Sequence, residues 1–149
     1  MQFAVSALSI VLAGVSPKFM TERPNWPDSF NAYCDSIRAE LNTSPEGLPI
    51  NPLRLPSGAK FFTLPVVDEV LGQKIAAASR RVSEQGTLGL GLVVNVNRRT
   101  DSVQVLESTN PRLNSEAKRI METSKFTPAW LDGTFVSSCM FIKVTFKVI

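Results

Sequence analysis

The 149-residue sequence contains no histidine. Its absence removes the commonest general base, the usual partner of a serine or cysteine nucleophile, and the commonest zinc ligand. Hydrolytic triads and ordinary zinc sites are therefore excluded. Cysteine is scarce as well: Cys34 and Cys139 alone cannot build a metal site. Charge of one sign is missing, because 16 basic against 13 acidic residues leave a formal charge of +3. That is too slight to call for a nucleic acid or an anionic membrane as partner. The tight basic pairs Arg80-Arg81 and Arg98-Arg99 read as the solvated ends of a helix and a hairpin. No apolar run is long enough to span a bilayer as a helix. What remains is foldable: 44% hydrophobic with 19% charged residues, in a length that suits one domain with appendages.

The carboxylates and the one amine that could carry catalysis, Asp101, Glu107, Glu116, Asp132 and Lys143, have no spacing that brings two acids together. Asp132 in Asp132-Gly133 is a turn residue by type. Ser137, Ser138 and Thr145 are nucleophiles without a base and read as polar outward positions of a strand. The sequence is that of a binding or structural protein rather than an enzyme, with no cofactor and no metal. Trp130 and Phe135, flanking the turn, read as core or rim anchors.

Phe3–Val15 is an uncharged apolar run closed by small residues, Ser16 and Pro17. It fits the apolar region of a secretory signal, giving a leader at 1–16, although no basic residue precedes it. The competing reading is a buried strand or helix of the mature fold. A segment at 17–65 follows. Trp26, Phe30, Tyr33, Ile37 and Leu41 recur at helical spacing and predict a helix over Pro27–Leu41. Pro45, Pro49, Pro52, Pro56 and Pro65 then forbid continuous helix or sheet, yet Leu48, Ile50, Leu53, Leu55, Phe61 and Phe62 make the stretch too apolar for a free spacer. It reads as a strap lying on the domain. A domain at 66–149 completes the chain, opening with a packing helix over Pro65–Gln85.

Within that domain the periodicities are clear. Thr87–Val96 sets Leu88, Leu90, Leu92, Val94 and Val96 against Gly89, Gly91, Val93 and Asn95, the period of a strand with one buried face. Ser102–Leu106 returns as a shorter strand. Asn110 followed by Pro111 reads as a helix N-cap, and Leu113, Ala117, Ile120 and Ser124 share one helical face. Asp132-Gly133 marks a turn into a long final strand, Thr134–Val148. There Met140, Ile142, Val144, Phe146 and Val148 face one way and Cys139, Phe141, Lys143, Thr145 and Lys147 the other.

The aliphatic first strand, Val103-x-Val105, Leu113-x-x-x-Ala117, and Phe126-x-Pro128-Ala129 followed by Asp132-Gly133 together resemble the C-terminal domain of the TonB family of periplasmic energy transducers. Three of that family's features are missing: a Tyr-Pro pair before the first strand, a glycine in the Asn97–Asp101 turn, and a long Pro/Lys-rich spacer upstream. The resemblance implies an α+β fold, a small antiparallel three-stranded sheet in the order β-β-α-β with its first strand central, here with additional N-terminal helices. It implies a periplasmic or secreted protein of the bacterial envelope. It also implies that the last strand pairs with an extended segment of an envelope or outer-membrane protein.

Carried over residue by residue, the partner-binding positions are Val136, Ser137, Ser138, Cys139, Met140, Phe141, Ile142, Lys143, Val144 and Thr145. The function so implied is protein binding or coupling by strand addition in TonB-like transport. The alternatives are a structural subunit whose sheet edge is permanently occupied, by the strap or by a partner, and a homodimer paired through the last strand. In an oxidising envelope compartment Cys34 and Cys139 are candidates for a disulfide joining the first helix to the last strand; two unpaired thiols are the other outcome.

Overall fold

The structure, a computed structural model, describes residues 3–4, 24–41, 47–67 and 70–148. Its elements are β1 (Phe3–Ala4), α1 (Asp28–Glu40), β2 (Phe62–Thr63), β3 (Val66–Val67), α2 (Val70–Val82), β4 (Gly86–Val94), β5 (Thr100–Ser108), a 3-10 turn (Pro111–Leu113), α3 (Asn114–Glu122), β6 (Phe126–Thr127), β7 (Ala129–Leu131), β8 (Thr134–Val136) and β9 (Ser138–Val148). The fold is α+β, built on an antiparallel sheet in the order β1-β9-β4-β5. Apart from the paired residues Phe3 and Ala4, the leader expected at 1–16 lies outside the described residues.

β4 is paired along both edges, with β9 and β5, and both of its faces are covered. Leu88, Leu90, Leu92 and Val94 join Met140, Ile142, Val144 and Phe146 of β9 in a core closed by Leu71, Ile75 and Ala78 of α2 and Ala117, Ile120 and Met121 of α3. On the other face Val93, Cys139 and Phe141 meet Phe30, Tyr33, Cys34 and Ile37 of α1. Alternation along two neighbouring strands thus builds two cores from one sheet. The expected helical stripe is buried at Phe30, Tyr33 and Ile37, whereas Leu41 is exposed and Trp26 precedes the helix.

Helix ends follow local chemistry. The Asn110 side chain accepts a hydrogen bond from the Arg112 N–H, and Pro111 opens the 3-10 turn leading into α3. α2 ends before the expected Gly86, because Ser83 takes a left-handed φ of 52° and its N–H closes on the Ser79 carbonyl at 2.9 Å. The hairpin between β4 and β5 lacks glycine; Arg98 supplies the positive φ, 71°.

Two expectations are corrected. Thr134–Val148 is not one strand: Thr134–Val136 pairs with Ala129–Leu131 across the Asp132-Gly133 turn, and β9 begins at Ser138. Asp132 fixes this break by taking a φ of 46° and accepting hydrogen bonds from the Lys60 and Phe61 N–H groups at 3.1 and 2.7 Å. The helix expected over Pro65–Gln85 is shorter, because Val66–Val67 is extended and pairs with Phe126–Thr127. The strap is woven in, Phe62–Thr63 pairing with Trp130–Leu131 and Ile50 bridging to Ser138.

Candidate functional site

β4 takes the inner side of β9, with Leu90 opposite Ile142 and Leu88 opposite Val144. The outer side is the edge of interest, and the strap fixes its parity. The Cys139 N–H donates outward to the Ile50 carbonyl at 2.9 Å, and the Ile50 N–H donates to the Ser137 carbonyl at 2.9 Å. Backbone groups alternate along a strand, so Phe141, Lys143 and Thr145 also point their N–H and C=O outward, while Ser138, Met140, Ile142 and Val144 point inward. At the far end Ala4 pairs with Lys147 and Phe3 with Val148. Between these two contacts no described segment pairs with Phe141, Lys143 or Thr145. Among the described residues this leaves about five residues of the edge without a strand partner, with Lys143 exposed and Thr145 half-buried while Phe141 is itself buried.

Of the ten positions taken from the sequence, eight lie on β9. Val136 belongs to β8, opposite Ala129. Ser137 lies between the strands with its carbonyl already bonded to Ile50. Ser138 is buried and its hydroxyl donates to the Cys139 carbonyl at 2.8 Å. Met140, Ile142 and Val144 are core residues. The outward set reduces to Phe141, Lys143 and Thr145.

The side chains of these three share the α1 face of the sheet, and that face is shaped by two glycines. A Cβ on Gly89 would meet the Phe141 ring at 2.4 Å and Glu107 Cγ at 2.8 Å; one on Gly91 would meet the Tyr33 ring at 2.8 Å. Each glycine therefore leaves room for an aromatic ring against β4. Tyr33 donates to the Ser102 carbonyl at 2.6 Å. Burial, with the Asp101 charge second, pushes its hydroxyl above the ordinary tyrosine range, so it stays a neutral donor.

α1 is tied over this face by the Cys34–Cys139 disulfide, whose Cα atoms stand 6.0 Å apart. The helix thereby holds Trp26 edge-on to Phe30 at 4.7 Å and within 6.3 Å of Phe141. A cleft of ≈ 450 Å³ opens between Pro24, Trp26, Pro27 and Phe141, with Glu107 and Lys143 at its rim. A second, ≈ 400 Å³, continues over Gly89 toward Thr87 and Thr109 past the same Glu107 and Lys143. Sequence reasoning passed over Trp26, Pro24 and Gly89 as site residues. The signal was Gly89 and Gly91 alternating on one face of the central strand, which leaves a trough that large side chains must fill.

The acidic residues are dispersed. Glu116 is held by Arg119 at 2.7 Å and by Arg81, Asp101 accepts from Asn95, and Asp132 caps the strap. The hydrogen bond from Arg119, together with the charges of Arg119 and Arg81, holds the Glu116 carboxyl below its usual range against a smaller burial effect. No two of them share a cleft.

The sequence model of the family described as Gram-negative bacterial TonB protein C-terminal matches residues 76–148. This part of the chain belongs to the TonB C-terminal family. The TonB C-terminal domain runs from within α2 to the end of β9 and contains the whole open edge, whereas Trp26, α1 and the strap lie outside the match. Domains of this family are protein-interaction domains in TonB-like envelope transport and energy coupling, periplasmic in Gram-negative bacteria, and they interact with outer-membrane proteins. No curated protein matches the chain. Among the described residues, no helix is long and apolar enough to cross a membrane.

Proposed function

We propose that this chain works in the periplasm as a binding module that receives an extended segment of an envelope or outer-membrane protein by strand addition along Phe141–Thr145. The supporting observation is the ladder itself. Three alternate outward positions carry donors and acceptors without a described partner, on a strand held by β4 along its inner side and by Ile50 at its start. An added strand would satisfy these groups through main-chain bonds, with side chains supplying specificity. Export with removal of 1–16 belongs to the same proposal and would also strip Phe3–Ala4 from the edge.

Proline tests it. At Lys143 proline deletes one outward N–H and leaves the inward ladder to β4 intact; alanine there keeps the N–H and removes only an exposed charge. The expected outcome is a folded Lys143→Pro protein that loses its partner and a Lys143→Ala protein that binds nearly as well as the parent. Equal binding by folded Lys143→Pro and Thr145→Pro variants would refute strand addition. A second reading, a structural subunit with its edge permanently occupied, draws on the backbone contacts already made at both ends of the edge. A tight constitutive complex, inseparable by competing peptides, would favour it.

A further inference from the structure

We infer that the cleft between the strap and β8 captures the C-terminus of a partner polypeptide, taking its last, apolar side chain among Leu48, Leu131 and Phe135 and its terminal carboxylate on Arg38. The inference is independent of strand addition on β9 and assigns the chain a second binding site. Val96 and Phe135 carry the most exposed large apolar side chains among the described residues, 57% and 54% exposed, and both line one cleft of ≈ 600 Å³. Leu48, Ile50, Leu131 and Val136 supply much of its remaining apolar lining. Single apolar residues scattered on a surface need no partner, but the two most exposed gathered at one concavity mark an interaction site.

Charge and backbone identify the occupant. Arg38 is the one ionisable side chain among the described residues of the lining. One of its nitrogens donates to the Pro49 carbonyl, which fixes the guanidinium beside the strap, and no described carboxylate pairs with it. Asp35, which shares a neighbouring cleft with Arg38, pairs instead with Arg54 at 3.3 Å. A cation held in this way offers its remaining N–H groups to an incoming carboxylate. The edge of β8 supplies the second feature. β8 ends its three-stranded sheet, and Leu131 and Thr134 flank the two-residue Asp132-Gly133 turn, so their backbone groups bond each other and those of Phe135 point away from β7. The Asp132 N–H, donating to the Phe61 carbonyl on the other side of the hairpin, agrees with that parity. Further along the edge the Ile50 N–H already takes the Ser137 carbonyl, but no described segment takes the N–H or C=O of Phe135. An apolar side chain, one carboxylate and peptide groups to meet Phe135 are together what the last residues of a chain carry. A free fatty acid has only the first two. The cleft is also a seam: Val96, Leu131 and Phe135 lie in the part that matches the TonB C-terminal family, whereas Arg38, Leu48 and Ile50 lie outside it.

Three N-acetylated peptides of about six residues with a Thr/Ser background test this against the full chain by calorimetry: one ends in Phe with a free carboxylate, one in Phe carboxamide and one in Ala with a free carboxylate. The Phe acid should bind about tenfold more tightly than the Ala acid, and about fivefold more tightly than the Phe amide. Arg38→Gln should remove the preference for acid over amide. Because Arg38→Gln also unties the strap at Pro49, Val96→Glu at an exposed position gives a second test: it should weaken the Phe acid more than the Phe amide. Lys143→Pro, which alters only the β9 edge, should leave all three affinities as in the parent. Equal binding of acid and amide, equal binding of the Phe and Ala endings, or an acid preference that survives in both cleft variants would overturn the inference. So would no binding by any peptide. Binding lost in Lys143→Pro would also overturn it and assign the peptides to β9, and decanoate bound as tightly as the Phe acid would replace the chain terminus with a small apolar acid.

Discussion

Gly89→Ala separates a cleft built on glycine from a strand that merely contains one. At an unconstrained strand position alanine should stabilise by about 0.5–1 kcal/mol, through the backbone entropy that glycine loses on folding. Here the new methyl would stand 2.4 Å from Phe141 Cζ, 2.6 Å from Phe141 Cε2 and 2.8 Å from Glu107 Cγ. Glu107 can swing away, but the Phe141 ring cannot: it is 4% exposed and packed within 6.3 Å of Trp26. Overpacking of this kind costs about 1–3 kcal/mol. The net expectation is a loss of about 1–2 kcal/mol, or about 2–8 °C in Tm for a chain of this size. Urea unfolding should show a lower midpoint with unchanged slope. Shortening the ring should relieve the clash, so Gly89→Ala with Phe141→Leu should lose less than the sum of the single losses by at least about 0.5 kcal/mol. A Gly89→Ala protein as stable as the parent, or an additive double mutant, would refute this account of the face.

Three further outcomes are expected. The Cys34–Cys139 bridge closes a loop of sequence separation 105, so Cys34→Ala with Cys139→Ala should cost about 4–5 kcal/mol on the loop-entropy estimate; non-reducing peptide mapping should recover the two cysteines joined, and two alkylatable thiols would contradict the bridge. Glu116 has a depressed folded pKa, so its contribution is complete above the ordinary glutamate value, about 4.3, and is lost as pH falls through the folded value. Because its arginine partners are more than half exposed, Glu116→Gln should cost under about 1 kcal/mol at pH 7 and nothing at pH 2; an equal loss at both pH values would contradict the pairing. Intact mass of protein isolated from a native envelope should correspond to a chain lacking the leader at 1–16, and a soluble species retaining Met1 would contradict export with cleavage.

The parts legible in the sequence are those in which one period runs long enough to dominate. Leu88 to Val94, Met140 to Phe146 and the Phe30–Ile37 stripe each face a single core, so alternation or helical spacing identified β4 and α1 almost to their ends and β9 at its C-terminal end. What was not legible is tertiary in origin. Strands of two or three residues, such as Val66–Val67 and Phe126–Thr127, exist only because each finds the other, and no local pattern encodes that meeting. The break at Ser137 was hidden because the chain stays extended through it, and only the docking of Ile50 and the Asp132 cap show where one sheet ends and another begins. The parity of the edge was likewise undetermined: Val136, Ser138 and Met140 looked as suitable for outward bonding as Phe141 and Lys143 until Ile50 was seen to take the Cys139 N–H. The wall of the cleft combines Trp26 with Phe141, residues 115 apart in the chain, and only the two glycines beneath hinted at it.

Amide hydrogen exchange read residue by residue along β9 tests strand addition most directly. In the free protein Met140, Ile142 and Val144 should be protected by β4, while Lys143 and Thr145 exchange fast. Adding a saturating extended peptide should slow Lys143 and Thr145 and leave their even-numbered neighbours unchanged. Protection of Lys143 and Thr145 already in the free monomer, or their continued fast exchange with peptide bound, would contradict recognition at this edge.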